Sequence, residues 1–189
     1  DFPPLDVPTL ATWDLALRNV AEDETSAWAT LVVLGMSLAE IRISGGSQSE
    51  NGVYWLYLEG NRSRQVFSKL ILFLNPKAYS YEIIEAAAVS LMNLIVCRPS
   101  LTTTLNRCFP RASLVLLLEA IDSLISETLK NLNHLKGRRI IEVLSFSLVK
   151  LLGWQDCSPE TSVEDEKTLN TILSLVSYSN KVEDTMKIT

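Results

Sequence analysis

Ile83 to Ile95 reads IIEAAAVSLMNLI, and Ile140 to Leu152 reads IIEVLSFSLVKLL. Set one above the other, 57 residues apart, the two stretches agree at six of thirteen positions: the opening Ile-Ile-Glu, the Ser-Leu pair, and the leucines at 94 and 151. Stepping back 60 residues from Leu91 reaches Leu31 in AWATLVVL, a weaker third copy. Each copy follows another amphipathic segment. A helix pair of this kind cannot bury its apolar face alone and does so by stacking on the next pair, so the repeat predicts an extended stack of helix pairs and not a closed bundle.

Working outward, the remaining helices follow from apolar spacing and from punctuation. Residues 1–8 (DFPPLDVP) carry three prolines and read as a linker or docked tail. A first helix opens at Pro8 and runs through Leu10, Trp13, Leu15, Leu17 and Val20. A second, capped near Asp23 or Thr25, is expected to bury Trp28, Leu31, Val32, Leu34, Met36, Leu38 and Ile41. Residues 44–52 (SGGSQSENG) form a loop, after which Val53 to Leu58 is either a strand turned back through Asn51-Gly52 or a short helix.

Further helices are predicted over Arg62 to Leu74, ended by Asn75-Pro76, and over Ser80 to Arg98, stopped by Pro99. In the latter, Ala86, Ala87 and Ala88 permit close approach of a neighbour. The longest runs from Pro110 to His134, with Gly137 as its closing residue, and another spans Arg138 to Leu152. An acidic linker from Ser158 to Glu166 precedes a last helix from Glu164 to Tyr178, and residues 180–189 read as a flexible tail. The total is seven or eight helices in an all-α chain, in units of about 9–43, 61–98, 109–154 and 164–178.

Apolar residues are 47% of the 189 and charged residues 21%, which excludes a disordered or low-complexity chain. The length suits about one domain. Seventeen Lys and Arg stand against 22 Asp and Glu, a net charge of −5 that repels nucleic acid and anionic membranes overall. No run of about 20 apolar residues offers a membrane span. Cys97, Cys108 and Cys157 are an odd set without disulfide or zinc spacing, which points to a reducing, intracellular setting, cytoplasmic or nuclear. A first residue of Asp1 in place of Met reads as a piece of something longer.

The stretch Glu85 to Leu94, with two alanines before Leu-x-Asn-Leu, resembles the last helix of an armadillo repeat. Over roughly residues 9–179 the chain is therefore similar to armadillo-like or HEAT-like repeat proteins. That resemblance implies a right-handed superhelical solenoid whose last helices line a concave groove. It also implies that Asn93 binds the backbone of an extended partner segment, with Val89 one turn earlier at a position often occupied by Trp. In the second copy the two equivalent places hold Phe146 and Lys150. A lysine there favours an acidic partner.

Catalytic constellations are missing from the sequence. His134 is the only histidine, and no phosphate-binding glycine loop, HExxH or CxxC occurs. Glu82 with Glu85, and Glu119 with Asp122, sit three apart on helices and read as solvated surface more readily than as acid and base. The reading is thus a non-enzymatic interaction scaffold with neither cofactor nor metal, binding a peptide or helix of another protein through Val89, Asn93, Phe146 and Lys150. Tyr54, Trp55 and Tyr57 are candidate aromatic anchors. Arg98, Arg107, Arg111, Arg138 and Arg139 form a candidate basic edge, the basis of an alternative reading as a nucleic-acid-contacting module of a nuclear complex. A third reading is an architectural or oligomerising section that self-associates through exposed repeat ends, Leu169, Ile172, Leu173 and Leu175 among them.

Overall fold

The computed structural model describes residues 15–18, 23–43, 60–96, 111–130, 135–152 and 163–188. Every regular element among them is helical: α1 (15–18), α2 (Glu24–Ile43), α3 (Gly60–Leu72), α4 (Tyr81–Val96), α5 (Arg111–Lys130), α6 (Leu135–Leu152) and α7 (Val163–Ile188). The all-α expectation holds, with seven helices and no strand among the described residues. The undecided segment Val53 to Leu58, the proline-rich start, the three cysteines and His134 lie outside those residues.

Local chemistry sets several helix ends. Asp23 caps α2: its carboxylate accepts from the Thr25 amide at 3.3 Å and the Ser26 amide at 3.1 Å, and also from the Ser26 hydroxyl. Two of the orphan donors of the first turn are thereby satisfied. After α3 the chain turns where Asn75-Pro76 predicts. The Asn75 side chain accepts from the Lys77 amide at 3.0 Å, and its carbonyl takes the amides of Ala78 and Tyr79 at 3.1 Å.

Gly137 departs from its expected place. It is the third residue of α6 and does not close α5, because its role is close approach: a Cβ built there would stand 2.7 Å from the Thr128 hydroxyl of α5. The last helix also outruns its predicted end, continuing to Ile188 through KVEDTMKI, a segment with neither glycine nor proline to stop it. Residues expected to be a flexible tail are helical.

Alternate helices are neighbours. α2 packs on α4 and α4 on α6, while α3 packs on α5 and α5 on α7; α3 with α4, and α5 with α6, join the two rows. The side-chain bonds between alternate helices give their sense. Ser90 and Asn93 of α4 reach Leu31 and Gly35 of α2, Lys136 and Arg139 of α6 reach Glu82 and Glu85 of α4, and Lys167 and Thr171 of α7 reach Glu119 and Asp122 of α5. Residue numbers rise together in all three sets, so α2, α4 and α6 run parallel to one another, and α5 runs parallel to α7.

The core between the rows is aliphatic. Leu91, Leu117, Ile121 and Leu144 are wholly buried, with Ala87 and Ala88 letting the backbones close in. Truncating one such leucine to alanine costs about 2–5 kcal/mol. Of the α2 residues expected in the core, Leu31, Leu34 and Leu38 are buried, but Trp28 and Met36 are exposed. A helix apolar on most sides leaves its period silent about which side is covered.

Candidate interaction site

α2 and α4 touch through a glycine. At Gly35 a Cβ would stand 2.9 Å from the Ser90 hydroxyl, so only hydrogen leaves room for that side chain. The Ser90 hydroxyl donates to the Leu31 carbonyl at 2.8 Å, and Asn93 Nδ2 donates to the Gly35 carbonyl at 3.0 Å. Both polar side chains are buried, Asn93 at 3% exposure. Because Nδ2 faces a carbonyl, the amide orientation is fixed. Asn93 Oδ1 is left buried without a partner.

Beside this contact an open cleft of about 300 Å³ runs along the two helices. In the parallel register set by the two bonds, Trp28, Glu82 and Glu85 lie toward one end and Met36, Ala39 and Asn93 toward the other, with Val32 and Val89 between them. Trp28 is 46% exposed and Met36 68%. The walls are apolar and the two largest side chains are accessible, the character of an anchoring surface. Its polar side chains are few: two carboxylates, the indole N–H and the Asn93 amide.

The carboxylates are held by the next helix in the row. Lys136 Nζ donates to Glu82, and Arg139 Nε lies 3.2 Å from Glu85. The hydrogen bond to Glu82 holds the Lys136 ammonium above its usual value of 10.5. The second carboxylate pair is used in the same way on the other row, Glu119 by Lys167 and Asp122 by the Thr171 hydroxyl at 3.0 Å. Residues three apart on one helix thus meet residues three or four apart on the helix two further on. These acids fasten helices together.

The structure divides the four expected contact residues into two pairs. Val89 and Asn93 both line the cleft, and the Asn93 amide nitrogen gives one of its two donors to the Gly35 carbonyl of α2. Phe146 and Lys150 lie on α6, outside the cleft lining; Phe146 is 45% exposed, with Lys150 Nζ 5.4 Å from its ring centre. Lys150 itself is exposed, and its ammonium keeps its charge in that contact. In the basic edge, Arg139 is paired with Glu85 and Arg138 is half-buried beside Tyr178. Arg111 opens α5, while Arg98, Arg107 and the anchors Tyr54, Trp55 and Tyr57 fall outside the described residues.

Sequence reading missed Gly35, Trp28 and Met36 as site residues. The available signal was a glycine in the middle of an apolar helix with no turn around it, which marks a close contact. Among the described residues no three His, Cys, Asp or Glu side chains gather as metal ligands do, and no helix is long and apolar enough to cross a membrane. Comparison of the chain with family models, curated proteins and solved structures returned no match.

Proposed function

We propose that this chain is a non-enzymatic interaction scaffold, a section of an armadillo- or HEAT-like right-handed solenoid that binds a segment of another protein along the α2, α4 and α6 row. The observation that carries this reading is the α2/α4 cleft, which places exposed Trp28 and Met36 over a buried acceptor on Asn93. The parallel packing of alternate helices and the internal sequence repeat support the solenoid. Binding would bury apolar side chains of the partner against Trp28, Met36 and Val89, with Phe146 extending the surface onto the next helix.

The test compares the wild-type chain with Met36→Glu and Phe146→Glu, both at exposed positions and both checked by circular dichroism, in a selection from a displayed random-peptide library. Peptides enriched by wild type and bound at least tenfold more weakly by Met36→Glu support the reading. No enrichment by the wild type, or equal binding by both variants, overturns it.

A second reading has its own observation. On α7, Leu169, Ile172, Leu173 and Val176 are exposed at a spacing that puts them on one helical stripe, while Leu175 packs partly against the core. Self-association through that stripe is the architectural alternative, measurable by light scattering.

A further inference from the structure

The sequence repeat makes α6 a second copy of α4, and α4 shows what such a helix does with its flank. Glu85 of α4 takes Arg139 of α6, and Ala88 and Met92 follow at three and seven residues along the same stripe. In α4 this stripe is covered: Ala88 is 1% exposed, Met92 is half-buried and the Glu85 side chain is 24% exposed. The corresponding residues of α6, 57 positions on, are Glu142, Ser145 and Val149. The character of the stripe is kept, with a carboxylate, then a small residue, then an aliphatic one. The cover is kept only in part: Ser145 is half-buried, its hydroxyl donating to the Ile141 carbonyl at 2.7 Å, while Glu142 is exposed and Val149 is 67% exposed.

We propose that the Glu142, Ser145, Val149 flank of α6 is a docking site for an amphipathic helix of another protein, lying parallel to α6 and carrying a basic residue opposite Glu142. This rests on the scaffold reading and specifies one of its surfaces. Three observations define the occupant. The α4/α6 contact continues onto α6 by sequence copy, so the occupant is helical and parallel. Ser145 stands where Ala88 allows close approach, so the occupant's backbone comes near at that level. The acid is preserved at 142, so the opposing residue is cationic, as Arg139 is to Glu85. A second copy of this chain entering by α2 fits poorly, since α2 begins with Asp23 and Glu24.

The natural template for the occupant is α6 itself, the helix that packs on α4 and whose Arg139 meets Glu85 of this stripe. One position needs adjustment. The residue equivalent to Glu82 is Arg139, already engaged with Glu85, so Lys136 of a docked α6 segment would face a cation. The probe is therefore a fluorescein-labelled peptide of residues 135–152 with Lys136→Gln, titrated with the full chain and followed by fluorescence anisotropy.

Saturable one-to-one binding is expected, weakened about fivefold by Glu142→Arg in the protein, within the range of an exposed ion pair. A peptide that also carries Arg139→Glu should recover that loss on the Glu142→Arg protein. Val149→Glu should weaken binding more than tenfold. Both protein positions are exposed, so circular dichroism should show an unchanged fold. No saturable binding overturns the proposal, as does binding indifferent to Glu142→Arg and Val149→Glu. Binding lost in Met36→Glu but retained in Val149→Glu also overturns it, while leaving the scaffold reading intact, because the peptide would then occupy the α2/α4 cleft.

Discussion

Asn93 Nδ2 donates to the carbonyl oxygen of Gly35 at 3.0 Å, joining two helices whose bonded residues lie 58 apart in the chain. The residue expected to reach out of a groove instead reaches sideways within the protein. The Ser90 to Leu31 bond lies about one turn away, and the pair fixes α2 against α4 in rotation and register.

Asn93→Ala should therefore cost stability as well as binding. Removing a buried hydrogen-bonded amide is expected to destabilise the fold by about 1–3 kcal/mol, against at most about 0.5 kcal/mol for an exposed groove residue. Urea unfolding monitored by circular dichroism measures the difference. A loss within the smaller range would mean that the Gly35 contact contributes nothing to holding α2.

Gly35→Ala should destabilise by about 1–3 kcal/mol, because its new methyl meets the Ser90 hydroxyl oxygen. Ser90→Ala removes that oxygen, so the double variant should be more stable than the sum of the single changes allows. A double-mutant cycle with additive energies would show that the two residues do not compete for one space.

The Asp23 cap predicts an acid limb. The hydrogen bond from the Ser26 hydroxyl is the largest cause holding the Asp23 carboxyl below its usual 3.8, followed by the Ser26 amide. A depressed folded value contributes stability that is present above the unfolded value, and this is lost as pH falls through the folded one. Asp23→Asn keeps the cap without the titration. Its stability should therefore vary less with pH below about 4, and a parallel profile for both proteins would refute the assignment.

Tyr178 is 6% exposed, and its hydroxyl has no partner. Burial, opposed by the Arg138 guanidinium, pushes the phenol above its usual 10.0. Tyr178→Phe removes an unsatisfied buried oxygen and should be neutral or stabilising at pH 7. A raised folded value also means that stability is full below pH 10 and falls as pH rises through the folded pKa, a loss the phenylalanine variant should lack. A destabilised variant in thermal unfolding would contradict this account.

Leu173→Glu on the exposed stripe of α7 should leave the melting temperature within a few degrees of wild type, since Leu173 is 57% exposed. Any concentration-dependent increase in light scattering by the wild type should vanish in the variant. If that scattering persists unchanged, association does not use α7.

Much of the architecture was legible in the chain because its signals are local. A cap at Asp23 or Thr25 and Asn75-Pro76 as a stop depend on residues within a turn or two, and the structure carries both, with Asp23 as the cap. The site was harder to read. Val89 and Asn93 do line one cleft, yet Trp28 and Met36 were assigned to the core because α2 is apolar nearly all round, and Gly137 was read as an end signal.

What the sequence by itself determined is the all-helical class, the approximate helix ends and the sequence likeness of α4 to α6, since periodicity, caps and sequence likeness are properties of the chain. What only the tertiary structure decided is which flank each helix presents to its neighbour. That choice made Asn93 a tie to Gly35, turned two carboxylate pairs into inter-helix fastenings, and left the Glu142 and Val149 flank of α6 uncovered. The physical reason is that a helix carries its apolar and polar groups in every direction around its axis, and burial depends on what stands opposite.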